Sequence, residues 1–410
     1  MKKQLLSSAL AFILASASLI GAGAYVTADE SLKTVQAKEK TTDAKSAVKS
    51  VRKFGYDLME QYLSEKNPVM SPVSAYVVLG MVGNGAKGTT KKEFEKVLGS
   101  NMLTASEQLL HTLPQEQDGM KLTVANSAWL DEAFTPKKAW LNTAKTQFQS
   151  DVFTEKLSTN ATKNKINSWV SDRTNQLIPK LLDKKMEKET RLALINTLYF
   201  KADWQQPFIP EKTSVADFHS DYGKTIQTDM MHDGNYVCGY FKDDASEGVI
   251  LPYKDSNFAF VAVKPSKDEK IRDWYASYTP EKLEALLDSS QTKNVDLSLP
   301  KFDIRCRMKL NDSLNKMGIK KAFDEKKADL TLLGKSKDEE NLYLSFVLQE
   351  AVIRVAEEGT EAAAATIGGI AAGTAMIIDK PIVKFDRSFM YMIVDTESGA
   401  PLFMGIVDEP

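Results

Sequence analysis

The chain has 410 residues, 43% of them hydrophobic and 26% charged, with 53 Lys+Arg against 55 Asp+Glu and a formal net charge of -2. That balance excludes a disordered or collagen-like chain and lacks the overall basic excess of a nucleic-acid binder. Two Cys build neither a disulfide framework nor a four-Cys zinc site, so stability has to come from an apolar core.

Met1-Lys2-Lys3 precedes an apolar stretch from Leu5 to Ile20, and small residues follow at Ala22–Ala24 and Val26–Ala28. This order predicts a secretory signal over 1–28 and an extracellular mature protein. The alternative is an uncleaved anchor, although the stretch falls short of the ~20 residues a span needs. Residues 29–46 are polar and read as a linker, ahead of a single domain over 47–410. Val48, Val51, Phe54, Leu58 and Tyr62 recur at helical spacing. Ser71-Pro72 predicts a helix start, with an N-cap followed by Pro at the first helical position. Thr90 and Glu93 have the spacing of a capping box, and Gly99 marks the end of that helix. Ile166, Trp169, Val170, Leu177, Ile178 and Leu181 predict one long helical face.

From Leu192 to Phe200 the pattern becomes continuously apolar, as in a strand buried on both faces. Val249–Tyr253, Phe258–Val263, Val295–Leu299, Leu344–Val355 and Ile382–Val394 are further strand candidates. Met390–Val394 and Leu402–Val407 flank a Gly-containing turn, a C-terminal hairpin. Helices early and strands late predict an α+β domain.

No catalytic chemistry emerges. His111, His219 and His232 are far apart, and neither a zinc-protease helix nor a nucleophile elbow nor a phosphate loop is present. Gly83, Gly85 and Gly88 read as a loop before a helix. Carboxylates are too numerous to single out a pair, and nothing in the sequence brings Cys238 to Cys306. No enzyme activity, metal or cofactor is expected.

One segment stands apart. Between two strand candidates lies Glu357-Glu358-Gly359-Thr360-Glu361-Ala362-Ala363-Ala364-Ala365-Thr366, continuing through Gly368, Gly369, Ile370, Ala371, Ala372, Gly373 and Thr374. A linker or short Ala helix would explain its solubility but not its uniformly small residues. As a strand it would place Thr360, Ala362, Ala364, Thr366 and Gly368 on one face, with Glu361 on the other. It reads as a loop able to become a strand.

These residues closely resemble the reactive-loop hinge of inhibitory serpins. The resemblance extends in order over residues 48–409: Asn67–Ser74, Gly85–Thr89, Ile166–Val170, Asn196–Trp204 with Pro207-Phe208, Met230-Met231, Leu251–Tyr253, Leu299–Phe302, Phe385–Phe389 and Pro401–Gly405. It implies a serpin fold, with three β-sheets, about nine helices and an exposed reactive-centre loop. It further implies a suicide inhibitor: a serine protease forms an acyl-enzyme at the loop, and the cleaved loop inserts into the main sheet. About 14 inserted residues would carry the protease on the order of 45 Å.

Family spacing from Gly359 gives Gly373-Thr374 as the reactive bond, with Ala372-Gly373 as the alternative. Ile370, Ala371 and Ala372 would be the recognition residues before it. A small Gly373 points to an elastase-like or subtilisin-like partner, held covalently by a monomeric inhibitor. The resemblance also assigns Ser71, Ser74, Asn196, Trp204, Lys301 and Gln349 to the region governing sheet opening. Gln349 stands where the family usually has His, and Lys301 is expected to pair with Glu357. The other functional reading is a non-inhibitory serpin serving in binding, storage or chaperoning. Such members commonly carry bulky or charged hinge residues, unlike Thr360 and Ala362–Ala365. The fourth helical region, 103–120, lacks Lys and Arg until the sheet begins, so no polyanion site is expected there.

Overall fold

The computed structural model describes residues 47–113, 116–117, 119–266, 269–337, 340–361 and 380–410. The signal and linker readings over 1–46 lie outside these. The continuous apolar run forms the centre of a seven-stranded main sheet. Its principal strands are β1 (Met120–Asp131), β2 (Asp151–Glu155), β3 (Leu192–Asp203), β4 (Phe302–Lys309), β5 (Phe346–Val355) and the two-residue β6 (Gly359–Thr360), in the order β4-β5-β6-β3-β1 with β2 also on β1. Alternation along β3 explains its composition. Leu194, Leu198, Phe200 and Ala202 enter the large core, while Ala193 and Ile195 enter a second cluster with Ile166, Trp169 and Val170. With both faces covered, no polar position is left on the strand's first nine residues except Asn196 and Thr197.

Nine α-helices occur among the described residues: α1 (47–60), α2 (Pro72–Asn84), α3 (Gly88–Leu98), α4 (Met102–Thr112), α5 (Lys138–Thr146), α6 (Asn160–Arg173), α7 (Ile271–Ser277), α8 (Pro280–Asp288) and α9 (Asn311–Met317). Helix α6 supplies the cover on one face of the main sheet, and α2 lies buried in the core on the other. A nine-stranded sheet runs from Val69–Met70 through the C-terminal hairpin to Ile382–Lys384, passing the 18-residue strand Thr225–Lys242. Phe134–Pro136 and Gly334–Ser336 form a small third sheet. The result is the α+β, three-sheet architecture expected.

Three local expectations need correction. Ser71 caps α2 by accepting from the Ser74 amide at 3.3 Å, but Thr90 and Glu93 form no capping box. Helix α3 starts at Gly88; Thr90 instead accepts the Asp329 amide at 3.0 Å, and Glu93 accepts those of Lys320 and Lys321 at 2.8 and 2.7 Å. Helix α6 stops at Arg173, before Leu177, Ile178 and Leu181. Asn175 and Gln176 turn left-handed, and the Asn167 side chain accepts the amides of Leu181 and Leu182 in place of helical carbonyls. The candidate strand 382–394 is broken at Phe385–Ser388, where the backbone leaves the Gln291–Pro300 strand and bonds His219. Cys238 and Cys306 are both free, and burial pushes the Cys238 thiol up to about 12.

Candidate functional site

The main sheet is split at one end. Strands β5 and β3 pair in parallel from Phe346 opposite Ala193 to Ala351 opposite Leu198, and then separate. Strand β6 fills the gap from above: Thr360 pairs with Val355 on one side and Ala202 on the other, and Gly359 faces Asp203. Both flanking contacts are antiparallel, so the short strand is already in the direction a full central strand would take. Gly359 is there for closeness of approach. A Cβ on it would fall 2.1 Å from the Ala202 carbonyl oxygen and 2.8 Å from Asp203 Cα, neither of which can yield.

Several side chains hold this end. Lys301 Nζ lies 2.9 Å from Glu357 Oε2, and Thr213 donates to Glu357 Oε1 at 2.8 Å. Burial alone would raise the Glu357 carboxyl, but Lys301, a backbone amide and Thr213 outweigh it and hold it below its ordinary value. Trp204 donates its indole N–H to the Ala356 carbonyl at 2.9 Å and stacks on Tyr253 with ring centroids 4.7 Å apart. The Trp204 amide donates to Glu358 O at 2.7 Å, and the Phe208 amide to Glu357 O at 2.8 Å. Tyr253 and Thr360 share a buried hydroxyl–hydroxyl bond.

Glu361 follows in the left-handed region, φ 53°, which a non-glycine residue adopts at a cost. Its amide still donates to Arg354 O at 2.8 Å. Its carboxyl is buried beside Tyr199, and Oε2 has no hydrogen-bond partner among the described residues. Burial lifts this carboxyl to about 7, against the opposing pull of Tyr199, Lys201 and Arg354.

Deeper along the split, where β5 still touches β3, lies a polar cluster in an apolar surround. Gln349 accepts the Ser71 amide at 3.0 Å and donates to Ser71 O at 3.1 Å and Asn196 Oδ1 at 2.6 Å. Asn196 in turn donates to Ser74 Oγ and Asn126 Oδ1. Gln349 and Asn196 are cross-strand partners, so the cluster bridges the strands that must part for the split to lengthen.

Residues 49–410 match the family model described as serpin (serine protease inhibitor). The chain belongs to the serpin family. It is 32% identical to human alpha-1-antichymotrypsin over 371 residues, 87% of this chain and 86% of that protein. Among solved structures, the thermophilic serpin tengpin in its native state superposes with a TM-score of 0.81 at 31% identity, covering 88% of this chain and 93% of that one. Thyroxine-binding globulin in complex with thyroxine gives 0.79 at 29% identity, covering 89% and 99%.

In this serpin the structure therefore brings Glu357 to Lys301, Trp204 to the hinge backbone, and Ser71, Ser74, Asn196 and Gln349 into one cluster. Glu358 contributes a backbone carbonyl to the split. Ala362, Ala363, Ala364, Ala365, Thr366, Ile370, Ala371, Ala372, Gly373 and Thr374 lie outside the described residues. Sequence reasoning missed Thr213, Tyr253, Asn126 and Tyr199. Tyr199 and Tyr253 lie in the segments that carry the family resemblance, Asn196–Trp204 and Leu251–Tyr253, without a role assigned to them.

The cluster yields a direct expectation. Gln349→Leu strands the Ser71 amide and Asn196 Oδ1 in the interior, while the Ser71 carbonyl keeps the Ala75 amide, at a cost of roughly 2–4 kcal/mol. Urea unfolding of the native state should show a clearly lower midpoint; an unchanged midpoint would mean that the cluster does not hold the strands together.

Proposed function

We propose that this serpin is a secreted suicide inhibitor of elastase-like or subtilisin-like serine proteases, with no reaction of its own. The protease serine oxygen attacks the Gly373 carbonyl, and the Thr374 amine leaves with its proton. This gives an ester between Gly373 and the enzyme. The freed segment then continues β6 as a new central strand, dragging the protease along the sheet and stalling deacylation. Serpin loop insertion is itself an established example of strand addition.

The observation carrying this reading is that β6 is already seated between β5 and β3. Continuing its register, with Thr360 opposite Ala202, sets Thr366 opposite Asn196 and Ile370 opposite Leu192. The inserted strand then fills β3 to its first residue, and Gly373 falls just beyond. Thr360 faces the core through Tyr253, so Ala362, Ala364 and Thr366 would face it too. Small side chains there avoid overpacking. Insertion parts one parallel ladder and makes two antiparallel ones, a net gain in backbone pairing. Small hinge residues weigh against the non-inhibitory reading, although the likeness to thyroxine-binding globulin keeps a binding role testable.

Incubation with pancreatic elastase and with subtilisin, followed by denaturing electrophoresis and mass spectrometry, tests the proposal. The expected product is a covalent serpin–protease complex, with the released peptide beginning at Thr374. Turnover of the loop without a complex would overturn the inhibitor reading; a complex with cleavage elsewhere would move the reactive bond.

A further inference from the structure

Helix α6 and the chain that follows it, residues 174–191, cover one face of the main sheet from edge to edge. At one edge the helix is bolted to β2. The Trp169 indole N–H and the Arg173 guanidinium donate to Asp151 Oδ2 at 2.8 and 2.9 Å, and Lys165 pairs with Glu155. The following chain then runs as a strap toward the opposite edge. Asn167 fastens the strap to α6, accepting the Leu181 and Leu182 amides at 3.0 and 2.7 Å and donating to Leu182 O at 2.9 Å. Ile178, Leu181 and Met186 share one apolar cluster with Ala193 and Ile195 of β3 and Val352 of β5. The strap thus lies over the junction at which the sheet must open.

Its far side is held by a clasp on β4 and β5. Glu350 of β5, 1% exposed, pairs with both Arg305 and Arg307 of β4. Each guanidinium turns another N–H to the same strap carbonyl: Arg305 Nη2 lies 3.2 Å from Lys180 O, and Arg307 Nη2 3.1 Å. Arg307 Nη1 also donates to Asp183 Oδ2 at 3.3 Å. One buried carboxylate therefore aims two forks, and the forks hold the strap. Where the strap leaves α6 it is strained. Asn175 and Gln176 are left-handed, at φ 49° and 63°, a conformation that Asn tolerates and Gln adopts at a cost.

We infer that Arg305 and Arg307 are positioning residues that set the speed of strand insertion by latching this strap across the sheet, a role that rests on the insertion reading. Below β6, strands β4 and β5 lie on one side of the split and β3, β1 and β2 on the other. A new strand between β5 and β3 moves the two sides apart by one strand spacing, roughly 4.8 Å. Hydrogen bonds to Lys180 O at 3.1 and 3.2 Å cannot stretch that far. Either the helix or the clasp has to let go. The helix is backed by the packed Ile166, Trp169 and Val170, whereas the clasp grips a backbone carbonyl of an exposed residue. Lifting the strap also releases the strain at Gln176, so the clasp is the end that opens.

Sheet opening can be read without any protease, by adding a synthetic peptide of residues 361–373 to the intact protein and following its incorporation through the rise in Tm. In the double variant Arg305→Lys, Arg307→Lys, each ammonium still neutralises Glu350 but has no fork to share with Lys180 O. It should incorporate the peptide on the order of tenfold faster than the wild type, with hydrogen exchange over 177–186 faster by a similar factor. Gln176→Gly relieves the strain of the latched state and should incorporate the peptide about threefold more slowly. Gln176 is exposed, so this variant tests the strap even where the double variant folds poorly. Equal incorporation by the wild type and the double variant, faster strap exchange without faster incorporation, or faster incorporation by Gln176→Gly would overturn the latch and leave the insertion reading standing. No incorporation by any of the three proteins would bring down the insertion reading, and the latch with it.

Discussion

Replacing Thr360 with Arg is expected to turn the protein from an inhibitor into a substrate. Thr360 is 2% exposed, with its hydroxyl bonded to Tyr253 beneath the Trp204 stack. A guanidinium at that point would be buried without a counter-ion, costing several kcal/mol. Insertion competes with deacylation, and about 3 kcal/mol added to the insertion barrier slows it on the order of 100-fold. The protease would then complete hydrolysis before its translocation. Titration against a trapped protease should show a large rise in the moles of inhibitor consumed per enzyme, with cleavage at the same bond. Thr360→Ser keeps the hydroxyl and the size, and should inhibit nearly as well. Gly359→Ala tests the neighbouring contact, since its methyl group meets the Ala202 carbonyl at 2.1 Å and should unseat β6. Full inhibition by Thr360→Arg would remove strand insertion as the mechanism.

The features legible in the sequence were those set by local pattern. The two-sided burial of β3, the Ser71 cap and the C-terminal hairpin follow from periodicity and turn chemistry. The hinge residues were legible because their small size makes no sense in a linker. What escaped was decided by contacts far along the chain. Thr90 and Glu93 have capping-box spacing, yet their oxygens are claimed by amides more than two hundred residues away. Leu177, Ile178 and Leu181 keep the apolar period after the helix has ended, because Asn167 and Thr174 satisfy the backbone there instead. Asp386, Arg387 and Ser388 interrupt the apolar pattern of 382–394 where the chain crosses between two partners. Thr213 and Asn126 are ordinary polar residues until folding brings Glu357 to one and Asn196 to the other. Hinge chemistry was thus visible locally, while the network that restrains it was not.

Acidity should regulate how firmly the hinge is seated. Glu361 buries a carboxyl beside Tyr199 next to the seated hinge, its value lifted to about 7 chiefly by burial. In a hinge released to solvent it would titrate near its ordinary value of 4.5. The seated state is therefore favoured fully below about pH 4.5, where both forms are protonated, and its advantage is lost as pH rises through 7. The raised value is worth roughly 1–2 kcal/mol between these limits once solvent screening is allowed for. The charged groups facing Glu361 are Lys201 on β3 and Arg354 on β5, with Tyr199 also in contact. Arg354 is shared with Asp303 at 2.8 Å, which weakens its claim on the hinge carboxylate. Hydrogen exchange over 359–361, corrected for intrinsic rates, should show on the order of tenfold less protection at pH 8.5 than at pH 5.5. Glu361→Gln should hold the hinge seated at both values, because its amide never charges. If the wild-type protein exchanges equally at both pH values, or Glu361→Gln shows the same loss, the hinge is not gated by this carboxyl. Combined with protease trapping, the same pair of proteins separates two roles for β6. If seating primes insertion, Glu361→Gln traps protease at alkaline pH as well as the wild type does under mild acid; if it hides the loop from attack, the variant reacts more slowly throughout.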